Sequence, residues 1–220
     1  MAINLQKGQR IDLRKSGGAT LTEFCVGVNW GAIEKKGGFL GFGKSVTQVD
    51  LDLSCVMIDT NGQVSDHLYS PDYKPDFLAK FGLPPGKLLS RNNALRHSGD
   101  DRAGDSGGDD GLDNEVISVN LTAVEANISQ IFFFLNNVGQ EDFSMIPYAK
   151  IRMYEGTPTK VKEVFADYNV SAEGQYVGKK ALIMGKLYKK DNEWKFNAIG
   201  DPTEDVFLGQ TIQRIVKSYL

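Results

Sequence analysis

Short runs that alternate apolar with polar residues, each about the length of a strand and each closed by turn residues, recur along this chain and demand a β-rich fold. Within residues 20–30, Leu21, Glu23 and Cys25 alternate with Thr22, Phe24 and Val26, and Val28 extends the second row. Residues 49–58 form another run. It is followed by Asp59-Thr60-Asn61-Gly62, a turn of the Asn-Gly kind that closes hairpins, and residues 63–69 read as the returning strand. Residues 116–121 alternate again, whereas 128–138 is continuously apolar at its centre, which predicts a strand covered on both faces. Further strands are expected at 149–154, 161–170, 181–189 and 193–199, the last two joined by Lys190-Asp191-Asn192.

Many short strands separated by turns, without alternating helices, predict an all-β fold of the β-sandwich type. The tail differs. Leu208, Ile212, Ile215, Val216 and Tyr219 share one face at helical spacing, so residues 205–220 are expected to form an amphipathic helix packed on the sandwich. The 220 residues suffice for one sizeable domain with a buried core. Two segments read as loops: glycine-rich 37–44, which carries Phe39, Leu40 and Phe42 at its tip, and 70–98, which holds four of the seven prolines.

Composition narrows the function classes. No basic run or stripe marks a nucleic-acid binder, and the net charge of −3 is unremarkable. The N-terminal residues lack the apolar core of a secretory signal, and no stretch approaches the roughly 20 apolar residues that span a bilayer. Cys25 and Cys55 each fall within an alternating run and lack C-x-x-C spacing, so both are expected to be buried free thiols. The expected compartment is the cytoplasm.

One motif invites a different reading. Gly38-Phe39-Leu40-Gly41-Phe42-Gly43-Lys44-Ser45 matches the pattern of a phosphate-binding loop, G-x-x-x-x-G-K-[ST]. Such a loop works by leaving a buried strand and entering a helix, whose N-terminal amides meet the phosphates. Here residues 32–37 are not a buried apolar strand, and residues 46–53 alternate with period two as a strand does. The match is read as a coincidence in a glycine-rich hairpin loop.

The segment richest in chemistry is 97–115, where Asp100, Asp101, Asp105, Asp109, Asp110, Asp113 and Glu115 are interleaved with glycines. Like charges about 4 Å apart repel by about 1 kcal/mol even in water, and a hard divalent cation removes that cost. Calcium accepts six to eight oxygen ligands in an adaptable geometry, and no cluster of Cys and His suggests zinc or copper. His97 is alone and is expected to orient the loop. Asp50 and Asp52 lie on one face of a strand, about 7 Å apart, where they can complete a cation site from the opposite side. The spacing fits neither an EF-hand nor a glycine-aspartate repeat. From these residues alone two readings stand, a calcium site and a solvated acidic loop.

Taken in order, several motifs resemble the TerD domain of tellurite-resistance and stress proteins. Leu5-Gln6-Lys7-Gly8 resembles the family's opening L-x-K-G, Val26-Gly27-Val28-Asn29-Trp30 its G-L-G-W strand, and residues 49–54 its F-D-L-D-A-S strand. Asn92-Asn93 stands where the family often has N-N. His97-Ser98-Gly99-Asp100-Asp101-Arg102-Ala103-Gly104 is similar to H-T-G-D-N-R-T-G, and residues 115–121 to E-x-I-x-V-x-L. Residues 185–188 and 193–200 resemble G-E-L-Y and E-W-K-F-x-A-x-G. The acidic loop departs from the family pattern by an apparent insertion at 111–114. Either Asp109-Asp110 or Asp113-Asn114 therefore corresponds to the family's D-D pair.

The resemblance implies one TerD-like β-sandwich over residues 1–220 that binds calcium (Ca2+) and has no established catalytic activity. Carried over by position, it places Asp50, Asp52, Asp100, Asp101, Asp105, Asp109, Asp110 and Glu115 at cation sites, with backbone carbonyls near Arg102 and Gly108 as further ligands and Arg102 as counter-charge. It further implies a stress-response role through cation-dependent binding of partners. Those partners are other stress and tellurite-resistance proteins, a membrane protein of the same system among them, which would hold the chain at the inner face of the membrane. The alternative is a calcium-dependent module for a sugar, a nucleotide or a lipid headgroup. For an enzyme, neither His67 nor His97 comes with a Ser or Cys arrangement of the triad kind.

Overall fold

The computed structural model describes residues 3–4, 6–15, 17–36, 44–170 and 174–220. Two six-stranded sheets stack into a sandwich. The first runs β1 (Ile3–Asn4), β12 (Lys160–Val170), β11 (Ala149–Thr157), β3 (Glu23–Trp30), β9 (Glu115–Asn120), β8 (Leu95–His97). The second runs β2 (Arg10–Asp12), β14 (Glu193–Thr203), β13 (Ala181–Lys190), β10 (Ile128–Asn137), β6 (Leu51–Asp59), β7 (Val64–Leu68). A separate ribbon pairs β4 (Ile33–Lys36) with β5 (Lys44–Thr47), and among the described residues the α-helices are α1 (Pro75–Ala79) and α2 (Leu208–Ser218). Among the described residues every strand pairing is antiparallel except β1 with β12.

The alternation in sequence sorts side chains between layers. From β10, Ile131, Phe133 and Leu135 enter the core between the sheets, while Phe132 and Phe134 lie on the outer face beneath α2. That explains the unbroken apolar run: both faces of β10 are covered. Leu208, Ile212 and Ile215 supply the buried stripe of α2. The hairpin at Lys190 turns through Asp191 and Asn192, both at positive φ (53° and 62°), as a two-residue turn between right-twisted strands requires. Cys25 and Cys55 are buried free thiols, and burial raises both thiol pKa values.

Several expectations need correction. Residues 70–98 are not one loop: they hold α1, a 3-10 turn at Arg91–Asn93, and β8. Pro75 begins α1, where its missing amide costs nothing. The C-terminal helix is shorter than 205–220, because Thr203 and Asp205 bond each other's side chains and Gln210 caps the amides of Val206 and Phe207. The single strand read through 46–53 is two: β5 ends at Thr47 in the ribbon, and β6 starts at Leu51 in the second sheet. Strands β1, β2 and β4 are too short to announce themselves by periodicity. Of the phosphate-loop match, Gly38–Gly43 and the apolar tip lie outside the described residues, but Lys44 and Ser45 begin β5 and pair antiparallel with Lys36 and Lys35. A strand, not a helix, follows the motif.

Candidate metal centre

The acidic loop threads between the ends of the two sheets. The amide of Asp105 donates to Trp30 O at 2.9 Å and Ala32 N donates to Asp105 O at 2.8 Å, which ties the loop to the end of β3. Val49 N donates to Ala103 O at 3.2 Å, and the Trp30 indole donates to Val49 O at 2.8 Å, which ties it to the approach to β6. Residues 100–105 are therefore clamped between both layers.

This placement gathers two separate carboxylate trios. Asp50, Asp52 and Asp100 offer oxygens that lie within 4.8 Å of one another, and so do Asp105, Asp109 and Asp110. In the first trio, Asp50 Oδ1 and Asp100 Oδ1 are buried and have no hydrogen-bond partner among the described residues. Asp52 is only 5% exposed. Burial, reinforced by the charges of Asp100 and Glu115, pushes the Asp50 pKa up to about 6. Burial also pushes Asp52 up to about 8, with Glu115 and Asp50 adding to the rise. Arg102 is the counter-charge: its Nε donates to Asp100 Oδ2 at 2.9 Å, and its other end pairs with Asp72. One guanidinium cannot balance three carboxylates.

The second trio is more open and better partnered. Asp105 accepts from Tyr148 OH at 3.0 Å and from Asn114 Nδ2 at 3.2 Å. Asp109 accepts from Gly111 N at 2.8 Å and pairs with Lys150. Its pKa is lowered, Lys150 being the main cause. Gly108, at φ +115°, turns the chain just before Asp109, a conformation that favours glycine.

The remaining residues expected at the site have other duties. Asp101 Oδ1 accepts from the amides of Ala103 (2.9 Å) and Gly104 (3.2 Å), so it shapes the turn between the trios. Glu115 is 1% exposed and accepts from Leu53 N at 2.7 Å and Asp101 N at 3.1 Å, fastening the loop to β6. His97 does orient the loop. Its Nε2 donates to Leu53 O at 2.8 Å and its Nδ1 accepts from Gly99 N at 3.0 Å, which sets the tautomer.

Of the two candidate acidic pairs, Asp109-Asp110 joins a trio. Asp113 instead bonds Arg152 Nε at 2.8 Å, with its other oxygen pressed against Gly27. Asn114 links the two halves, donating to Asp101 at 3.3 Å and Asp105 at 3.2 Å while accepting from Trp30 N at 2.8 Å. Sequence reasoning weighed Asn114 only as half of an alternative acidic pair, and it missed Tyr148, Lys150, Asp72 and Tyr73. Tyr73 has a buried hydroxyl that raises the local count of polar groups around Asp52, and no local pattern marks it.

The family model for the TerD domain matches residues 1–74 and 83–219. The chain belongs to the TerD domain family. It is 35% identical to "Stress response protein SCP2" of Bacillus subtilis (strain 168), covering 98% of this chain and all of that protein. It is 28% identical to "Tellurium resistance protein TerZ" of Serratia marcescens, over 90% of this chain and 89% of the relative. The crystal structure of a homologue of telluride resistance protein (TerD) from Streptomyces coelicolor A3(2) shares the fold, with a TM-score of 0.56 at 11% identity, covering 84% of this chain and 92% of that one. The TerD match leaves 75–82 unpaired, the stretch that contains α1. Among the described residues no helix is long and apolar enough to cross a membrane.

Proposed function

We propose that this TerD-family chain is a calcium-binding stress-response protein of the tellurite-resistance class, which acts without catalysis through cation-dependent binding of partner proteins. The observation that carries this reading is the first trio: Asp50, Asp52 and Asp100 each offer an oxygen within 4.8 Å of the others, and Asp50 Oδ1 and Asp100 Oδ1 are buried with no hydrogen-bond partner among the described residues. A like-charged pair at 4 Å near a protein surface repels by about 4 kcal/mol. A divalent cation replaces that repulsion with bonds. The donor set is all oxygen, which suits calcium and not zinc or copper. Asp50, Asp52 and Asp100 would hold one ion, and Asp105, Asp109 and Asp110 a second.

A bound ion supplies positive charge and a fixed point for the loop; the chain's residues do the rest. Asp101 and Glu115 hold the loop backbone in place from within. Arg102, released from Asp100, remains at the surface beside Asp72. The relatives' names, stress-response and tellurium-resistance proteins, support the cellular role. Partners of the same system, a membrane protein among them, and a place at the inner face of the membrane belong to the same proposal.

Thermal unfolding in metal-free buffer, in magnesium, and in calcium over a magnesium background tests the ion. A ligand at 100 times its Kd adds about 2.7 kcal/mol, which for a chain of this size raises Tm by roughly 5–10 °C. Equal midpoints in all three buffers would remove the calcium site. Affinity capture from the producing cells, in calcium and in chelator, tests the partners. Identical captured proteins in both would remove the cation dependence.

A further inference from the structure

A cavity of about 360 Å³ opens on the outer face of the first sheet, on the opposite side of the sandwich from α2. That volume suits a small molecule. Side-chain length makes the hollow. Ser118, Cys25 and Gly156 come from the neighbouring strands β9, β3 and β11, where Ser118 pairs with Cys25 across the ladder, and they form a floor of short side chains. Arg96 of β8 and Lys162 of β12, the next strand on either side, supply long walls.

Both wall cations are open to a ligand. Arg96 and Lys162 are exposed, and neither makes a hydrogen bond or ion pair among the described residues. The carboxylates of the lining are already engaged. Glu155 pairs with Lys15 at 3.0 Å, and Glu23 Oε1 accepts from Asn120 Nδ2 at 3.1 Å. Four strand-to-strand steps separate β8 from β12, so the backbones of Arg96 and Lys162 stand about 19 Å apart, with both side chains reaching over the floor. This spacing suits a ligand with an anionic group at each end.

Between the cations the lining is polar and holds no stacking surface. Ser118 Oγ has only a 3.7 Å contact with Cys25 Sγ. Asn92 and Asn93 both adopt positive φ (56° and 51°), uncommon for consecutive non-glycine residues, and this turn brings Asn93 into the wall. We propose that the cavity binds a small hydroxylated dianion, one anionic group at Arg96, the other at Lys162, and its hydroxyls over Ser118, Asn93 and Glu23. Charge-assisted hydrogen bonds fix the ends, and neutral donors and acceptors meet the middle. The site lies apart from both carboxylate trios and does not depend on calcium.

Calorimetric and amide-shift titrations of the full chain in metal-free buffer at low salt test it. Fructose 1,6-bisphosphate and glucarate carry two phosphates and two carboxylates respectively, and fructose is the uncharged comparison. Saturable binding of one equivalent of a dianion is expected, with shifts centred on Asn93, Arg96, Ser118 and Lys162. Binding of either dianion supports the site, and the tighter of the two names the anionic group. Arg96→Gln and Lys162→Gln should each weaken it roughly three- to tenfold without moving the unfolding midpoint. Lys217→Gln, the same charge change on exposed α2, should leave it unchanged. No saturable binding of either dianion, or wild-type affinity in both cavity variants, would overturn the site. An equal loss in Lys217→Gln would reduce it to non-specific charge attraction, and fructose binding as tightly as the dianions would overturn its anionic ends.

Discussion

Arg102 Nε donates to Asp100 Oδ2 at 2.9 Å, while Asp100 Oδ1 lies buried without a partner. The guanidinium supplies positive charge beside the trio, so on the proposed function it competes with the ion for Asp100. Arg102→Ala should therefore lower the midpoint of unfolding in metal-free buffer and enlarge the rise produced by calcium. Parallel melts of wild type and variant check both signs. A variant whose calcium response shrinks would mean that Arg102 supports ion binding instead of opposing it.

On the proposal that each trio holds an ion, the two trios are separate sites. Asp50→Asn with Asp100→Asn should abolish one class of calcium binding in a calorimetric titration and leave the other, whereas Asp109→Asn with Asp110→Asn should do the reverse. Each double variant should weaken its own class by roughly tenfold or more. Loss of both classes from either double variant would show one coupled site.

On the same proposal, protons compete with the ion at the first trio. The folded-state pKa values of Asp50 (about 6) and Asp52 (about 8) lie above the ordinary carboxylate value of 3.8. Between pH 4 and 8 the metal-free folded state therefore binds more protons than the unfolded chain, and these groups make its stability fall as pH rises. Calcium needs both groups ionised, so its stabilising effect should grow from pH 5.5 to 8. His67 works the other way, because burial lowers its pKa. Comparing wild type with Asp52→Asn across this range isolates the trio. A slope that survives unchanged in the variant would assign the effect elsewhere.

Gly27 of β3 lies against the carboxylate of Asp113, leaving no room for a Cβ. Gly27→Ala should push Asp113 off Arg152, with a loss of about 1–3 kcal/mol on urea unfolding. Asp113→Ala combined with Gly27→Ala should cost less than the sum of the single changes, because the clash disappears with the carboxylate. Strict additivity would rule out this contact as the cause.

The β-architecture was legible because alternation reports directly on which side chains a layer covers. The runs at β3, β6, β9 and β10, and the turns after Asp59 and Lys190, were all readable in this way. The division of residues 46–53 between two sheets was not, since β5 and β6 carry the same local pattern and differ only in their pairing partners. Nor was α1, whose five residues are too few to show a helical period.

The sequence by itself determined that a crowd of carboxylates would sit in one loop beside a strand bearing Asp50 and Asp52. Only the tertiary structure decided which of them meet. Asp100 and Asp101 are neighbours in the chain, yet one carboxylate joins Asp50 and Asp52 while the other turns back onto the amides of Ala103 and Gly104. Asp109 and Asp113 look alike in a row of acids, yet Arg152 of β11 claims Asp113. The reason is physical. Local pattern sets a side chain's direction relative to its own backbone, but a carboxylate's fate depends on the amide, cation or second carboxylate that a distant strand brings within about 3–5 Å, where both hydrogen bonds and charge repulsion are strong.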